Sequence, residues 1–254
     1  MHWITKVLVR AGLAAVLMSA IVGVAIAAPH YDKAMKPTRT FAAPIHPWWT
    51  HSIVELVTNG SFETGTFAGW NVVNNGTSGD WFVTDQTTTP LSGGSNPPAA
   101  DGTFQAMVDQ IGPGSHILYQ DVVIPIATSV TLNMMLWAEN YNGSYSDPAT
   151  LDPNVIPNQQ ARVDIMSPGA PIDDVGAGVL LNVFKTSPGD PTSIPNAPLT
   201  ANLNAFQGQT VRLRIVEVDN QFFFNVGVDA VSISADVATA ESRAAWGGVK
   251  ARYR

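Results

Sequence analysis

Cysteine is absent from this chain of 254 residues, and positive charge is scarce in most of it. Without cysteine the chain has no disulfides, no thiolate zinc site and no cysteine nucleophile. Residues 55–235 contain four basic side chains against 17 acidic ones, a net charge of −13. Such a surface repels phosphate backbones, so we expect no nucleic-acid partner.

Long apolar runs are missing after residue 30, which excludes a membrane-spanning helix there. The N-terminus is different, because Lys6 and Arg10 precede the uncharged stretch 11–28, which contains the small-x-small sequence Ala25-Ile26-Ala27. This pattern predicts a signal peptide over residues 1–27. We therefore expect a protein that is secreted, periplasmic or on the cell surface. An uncleaved anchor is the alternative, since the uncharged stretch approaches a spanning length.

Motifs of common catalytic sites are also missing. His116 is the one histidine in residues 53–235, and neither a Gly-x-Ser-x-Gly elbow nor a His-Glu-x-x-His motif occurs. We therefore expect no enzymatic activity. A hydrolase with two carboxylates facing across a cleft stays open, because the sequence does not show which acids face each other.

Four sections follow from the distribution of turn and strand residues. After the signal peptide, residues 28–52 hold four prolines without a period and are interpreted as a linker. Residues 53–235 alternate short β-branched and aromatic runs with Gly, Pro, Asn and Asp clusters, which is typical of strands. Residues 236–254 are interpreted as a flexible tail.

Ten strands are predicted in the central section, and no stretch between them has the apolar period of a helix. Ten strands in about 180 residues favour a two-sheet sandwich. Their predicted bounds are 53–57, 69–73, 81–84, 104–109, 117–124, 129–139, 161–166, 178–186, 209–218 and 226–235. Three long connections remain, residues 85–101, 140–158 and 187–201, and loops of this length are often functional.

Both ends of the central section resemble a known family. The sequence Leu56-Val57-Thr58-Asn59-Gly60-Ser61-Phe62-Glu63, followed by Gly69-Trp70, is similar to the opening of galactose-binding-like carbohydrate-binding modules. Residues 206–214 and 227–233 are similar to the last two strands of these modules. The resemblance implies an all-β, two-sheet antiparallel jelly-roll-like sandwich. It also implies a non-catalytic module that binds a glycan or polysaccharide, and we expect a monomer.

The chain also resembles exported bacterial proteins that carry a C-terminal sorting tail. Such tails combine Pro-Glu-Pro, an apolar helix and a basic end. Here the basic end Lys250-Ala251-Arg252-Tyr253-Arg254 is present without the other two parts, so we expect no membrane retention by that route.

The resemblance further implies a structural calcium ion that joins the first strand to the last. By position its ligands would be Glu63 and Asp229, with Asp101 and Thr103 as further candidates. Calcium takes six to eight oxygen ligands, which carboxylates and backbone carbonyls supply. The alternative is that Glu63 caps a turn and Asp229 accepts hydrogen bonds from the backbone.

Glycan binding requires an aromatic face for stacking and polar groups for the hydroxyls. The candidates are Trp81, Trp137, Tyr141, Tyr145 and Asn140. Trp137 follows core-like residues, so a place in the core is an alternative for it. A second function also stays open, that of a structural or adhesive component of the cell surface or matrix without a specific glycan ligand. A large exposed apolar patch would favour this second function.

Overall fold

Eleven strands and one 3₁₀ turn form the described part of this computed structural model, residues 49–77 and 79–240. The 3₁₀ turn covers Asn204–Phe206. In chain order the strands are β1 (Trp49–Glu55), β2 (Asn71–Gly76), β3 (Trp81–Thr84), β4 (Gln105–Gln110), β5 (Gly114–Val123), β6 (Ser129–Asn140), β7 (Gln160–Met166), β8 (Val179–Lys185), β9 (Ser193–Asn202), β10 (Thr210–Asp219) and β11 (Phe224–Ala240). Across these two ranges, no helix has the length and apolarity needed to cross a bilayer.

The strands form two antiparallel sheets. The six-stranded sheet has the order β3-β4-β11-β6-β9, and β1 pairs with the second half of β11. The five-stranded sheet has the order β2-β5-β10-β7-β8. Apolar side chains from both sheets share one buried core cluster, so the sheets lie face to face. The predicted fold class, an all-β two-sheet antiparallel jelly-roll-like sandwich, is confirmed.

Alternation along β10 determines which side chains enter the core. Leu213 and Ile215 are fully buried in the core cluster, as a period of two predicts. Arg212 and Arg214 point to the opposite face of the five-stranded sheet, as expected. A second, smaller apolar cluster covers part of that face, because the loops after β6 and β7 fold over it with Leu151 and Ile172.

One strand was missed in the sequence. The predicted long connection 187–201 overlaps β9 (Ser193–Asn202), which pairs with β6. Pro195 and Pro198 argue against a strand, because proline has no N–H to donate. At the edge of a sheet, however, one side of the strand needs no hydrogen bonds, and β9 is such an edge strand. The prolines are tolerated for this reason.

The family-like turn near the N-terminus docks directly on β11. Val231 N–H donates to the carbonyl of Gly60 over 2.9 Å. A Cβ at Gly60 would lie 1.8 Å from the Val231 carbonyl oxygen, so the contact requires glycine. The register of β11 shifts between Asp229 and Ser232, and Ala230 in this bulge has φ of 48°. The first and last parts of the sandwich are thereby joined.

Several predictions concern residues outside the described ranges. The signal peptide and the linker up to residue 48 lie outside them, as do residues 241–254 of the tail. The last four linker residues, 49–52, belong to β1, and the first five tail residues, 236–240, belong to β11.

Candidate functional site

The two tryptophans predicted to bind a ligand are both buried. Trp81 on β3 faces the core between the sheets. Trp137 lies on the outer face of the six-stranded sheet, where its indole N–H donates to Gln105 Oε1 over 2.9 Å. Gln105 in turn donates to the carbonyl of Pro97, so the loop before β4 covers this region. Neither ring presents a face to a ligand.

Tyr145 and Asn140 are buried as well. The Tyr145 hydroxyl donates to the carbonyl of Thr192, and its ring contacts Phe224 edge-on with centroids 5.7 Å apart. Asn140 donates to the carbonyl of Ser144 and accepts from Gln159. Both side chains fasten the loop after β6 to the end of the sandwich. The structure therefore does not bring the predicted residues together into one stacking platform.

Tyr141 is the exposed member of the predicted set. Its ring contacts Phe223 edge-on, with centroids 6.5 Å apart, and Phe223 contacts Phe222 at 5.0 Å. Tyr141 and Phe222 are 40% and 48% exposed. We call Tyr141, Phe222 and Phe223 the aromatic end. It is an open apolar surface formed by the loops after β6 and β10.

The predicted calcium ligands hold a loop by hydrogen bonds. Glu63 Oε1 accepts from the N–H groups of Thr103 and Phe104, at 2.8 and 2.7 Å. From the other side, Asp229 Oδ2 accepts from the N–H groups of Ala100 and Asp101, at 2.6 and 2.9 Å. We call the segment 100–104 the clamped loop.

Calcium would bind through the oxygens of these two carboxylates. One oxygen of each, Glu63 Oε1 and Asp229 Oδ2, already accepts two N–H groups. Within the described ranges, no group of three or more His, Asp or Glu side chains is placed to hold a metal. The contacts favour the alternative role, in which Glu63 and Asp229 accept backbone hydrogen bonds.

A polar depression lies on the outer face of the five-stranded sheet, beside β7 and β8. Its volume is about 420 Å³. We call it the groove. The polar and charged side chains among its lining residues are Asp147, Arg162, Asn182 and Lys185, and the remaining lining residues are Pro148, Ala149, Val175, Gly176, Val179, Leu180 and Leu181.

The floor of the groove rests on a buried charge network around Asp164. Arg162 on the same strand donates Nε–H and an Nη2–H to the two oxygens of Asp164, at 2.9 and 3.1 Å. Arg214 on β10 donates to Asp164 from the next strand and to the carbonyl of Ile172. Asn182 on β8 donates to Asp164 over 2.7 Å. These bonds fix Arg162 and Asn182 in place before any ligand arrives.

Burial and a neighbouring charge shift the pKa of Arg214 in opposite directions. Desolvation lowers the pKa of Arg214, whereas the charge of Asp164 raises it. Arg214 is completely buried, and its partner Asp164 compensates for this burial. The hydrogen bonds of the network hold its side chains in fixed positions.

An ion pair forms one rim of the groove. Lys185 Nζ lies 2.5 Å from Asp147 Oδ2, and both side chains are partly exposed. The turn before β8 also borders the groove through Val175 and Gly176, and there Asp174 accepts from the N–H groups of Gly176 and Gly178. The arrangement offers fixed donors and acceptors around an open space, which suits recognition of hydroxyl and carboxylate groups.

Sequence reasoning did not single out the groove residues. They come from the loop after β6, from β7 and from β8, and only the sheet register brings them together. One signal was available. Residues 55–235 contain only four basic side chains, and this scarcity marks each of them as a candidate for ligand binding.

No protein-family model matches the chain, and the search of curated proteins finds no match either. The chain is similar to the carbohydrate-binding module TmCBM61 in complex with β-1,4-galactotriose, with 16% identity, a TM-score of 0.42, and 71% of this chain and 97% of that chain covered. A carbohydrate-binding module is thus among the solved structures that this chain resembles.

Two further solved structures show a similar degree of likeness. The K3 cleaved adhesin domain of Lys-gingipain from Porphyromonas gingivalis has 16% identity and a TM-score of 0.46, with 72% of this chain and 99% of that chain covered. The Stig cyclase Fisc from Fischerella sp. has 16% identity and a TM-score of 0.41, with 74% and 100% covered. At these identities no function is carried over from them.

Proposed function

We propose that this chain is an exported, non-catalytic protein that binds a glycan in the groove. The observation that supports the proposal most is the set of fixed polar groups around an open space of about 420 Å³. Arg162 and Asn182 are held by Asp164, so binding costs little side-chain entropy. The predicted signal peptide supports export.

The chemistry of the groove fits sugar hydroxyls. A hydroxyl both donates and accepts, so its site needs groups of both kinds. Lys185 and Arg162 donate, and the carboxylate of Asp147 accepts. Leu180 and Val179 add apolar surface beside these groups, which suits the C–H faces of a pyranose ring.

A polysaccharide-binding screen, followed by amide hydrogen exchange to locate the binding site, tests the proposal. The full exported chain would be incubated with insoluble and soluble polysaccharides, and amide hydrogen exchange would be measured with each polysaccharide that binds. We expect slower exchange in residues 146–150 and 174–185, which surround the groove. Absence of binding across neutral and acidic polysaccharides would overturn the proposed function.

Adhesion through the aromatic end is the second candidate. The specific observation is that Tyr141 and Phe222 are both exposed and both contact Phe223, on loops rather than in a groove. Exposed apolar patches often mark interaction sites. Slower exchange confined to residues 140–142 and 220–223, in the same footprint, would favour this function over glycan binding in the groove.

A further inference from the structure

The four basic residues of residues 55–235 lie on one face of one sheet. Arg162 and Lys185 are cross-strand partners on β7 and β8. Arg212 and Arg214 lie two residues apart on β10. Arg214 donates a hydrogen bond to Asp164, which lies two residues after Arg162 on β7. Cross-strand partners, and residues two apart on a strand, point to the same face. This face is the outer one of the five-stranded sheet, which holds the groove.

We infer that the groove takes a glycan that carries carboxylate groups, and that the chemical class of the ligand is a polymer of uronic acids. The inference rests on the proposed function and specifies its ligand. In a range with a net charge of −13, an anionic ligand is repelled by most of the surface. The outer face of the five-stranded sheet holds all four cations of this range, each paired with an acid, and two of them, Arg162 and Lys185, line the groove.

The free donors of the groove match a carboxylate. Arg162 uses Nε and Nη2 for Asp164, so Nη1 has no hydrogen-bond partner among the described residues. Lys185 uses one contact for Asp147 and has three N–H donors. Charge-assisted bonds from these two cations to a carboxylate are stronger than bonds to a neutral hydroxyl.

The acceptors beside these donors match the rest of a uronic acid. Asn182 donates through Nδ2 to Asp164 and to the carbonyl of Phe184, which leaves Oδ1 free to accept. A hydroxyl next to the sugar carboxylate could donate to this oxygen. Asp147 is the carboxylate nearest to the open space, and its pairing with Lys185 limits its repulsion of an acidic ligand.

The acids of this face are already engaged. Asp164 is enclosed by Arg162, Arg214 and Asn182. Asp174 is turned toward the N–H groups of its own turn. At the groove, Arg162 and Lys185 therefore keep free donors, whereas Asp164 and Asp174 are occupied. Arg212 is held by Asp121, and Arg214 is buried.

Binding of polygalacturonate and of its carboxyl-reduced form tests the inference, because the two polymers share a backbone and differ in charge. Affinity of the full chain would be measured by titration calorimetry. We expect the carboxyl-reduced polymer to bind at least about tenfold more weakly. We also expect binding of polygalacturonate to weaken between about 50 mM and about 500 mM NaCl.

Variants of Lys185 locate the interaction. Lys185→Met should weaken binding of polygalacturonate about tenfold, and Lys185→Arg should retain most of it. Asn133→Ala, on the outer face of the six-stranded sheet, serves as the control and should bind like the wild type. Circular dichroism of each variant shows whether the fold is kept.

The outcomes separate the inference from the proposed function. Equal binding of both polymers, or binding of neutral polysaccharides alone, would overturn the inference and leave glycan binding intact. No binding of any polysaccharide would overturn the proposed function itself. Unchanged affinity of Lys185→Met for polygalacturonate would show that the acidic glycan binds away from the groove.

Discussion

Two acidic side chains enter the space between the sheets at one end of β10. Glu217 and Asp219 follow Leu213 and Ile215 on the inward face, and both are fully buried. Burial raises the pKa of Glu217 well above its ordinary value, and the nearby charges of Asp219 and Asp109 raise it further. Burial also raises the pKa of Asp219 to about 7. Both shifts favour the protonated carboxyl groups in the folded protein.

Asp219 makes folding depend on pH. Because its pKa is raised in the folded state, its contribution is fully present below about pH 4 and is lost as the pH rises toward 7. The loss over this window is on the order of 4 kcal/mol. Asp219→Asn should abolish it, so the variant should gain stability relative to the wild type as the pH rises from 4 to 8.

His116 titrates in the opposite sense. Burial lowers its pKa to about 4, although Asp80 raises it. Its contribution to stability is fully present above about pH 6.5 and is lost as the pH falls through 4. In the wild type the two groups offset each other, whereas Asp219→Asn should become less stable toward acid.

Urea unfolding at several pH values between 4 and 8 measures this difference. Asp85→Asn, an exposed aspartate in the loop after β3, is the matched control and should follow the wild type. Parallel curves for the wild type and Asp219→Asn would show that Asp219 does not titrate between these pH values.

At the scale of elements, the bulge of β11 packs against Gly60, where the N-terminal turn has no side chain. Gly60→Ala would place a Cβ 1.8 Å from the Val231 carbonyl oxygen, so the turn or the bulge must move. We expect the free energy of unfolding to fall by about 3 kcal/mol. Denaturant unfolding at fixed pH would measure the change.

Gly169→Ala is the control for that substitution. Its added Cβ would meet no atom within 4 Å, and its φ is not in the left-handed region. The change should alter stability by less than about 0.5 kcal/mol. Equal effects of the two substitutions would mean that the contact between Gly60 and Val231 does not hold the N-terminal turn.

The clamped loop is a second element whose attachment can be tested. Because Glu63 and Asp229 accept N–H groups there, we expect a chelator to leave the melting temperature of the full chain unchanged. Bound calcium would stabilise the folded state, so its removal would lower the melting temperature by several degrees. A fall that calcium restores would contradict the hydrogen-bonded role and support the calcium ion implied by the resemblance.

For the whole molecule, the strands follow from local patterns. Alternation on β10 and the short apolar runs predict strands within a few residues of their positions, because each pattern lies within one element. β9 was missed because its two prolines oppose a strand unless the strand is at an edge. Edge position is a property of the sheet order, which one sequence does not show.

The candidate site was less predictable than the fold. Trp81, Trp137 and Tyr145 carry the residue types of a sugar platform, but core packing and covering loops bury them. Exposure of an aromatic residue depends on how long loops fold back, as the loop before β4 does over Trp137. The groove was hidden for the converse reason, since its side chains are distant in sequence and meet through the pairing of β7 with β8.

The affinity of Asn182→Ala for the glycan identified by the screen tests the central claim, binding in the groove, most directly. Asn182 is an exposed asparagine on a strand, and Asn133→Ala provides a control of the same residue type on the other sheet. We expect Asn182→Ala to bind about tenfold more weakly through lost hydrogen bonds, and Asn133→Ala to bind like the wild type. Equal affinities of the two variants would contradict the claim that the groove is the binding site.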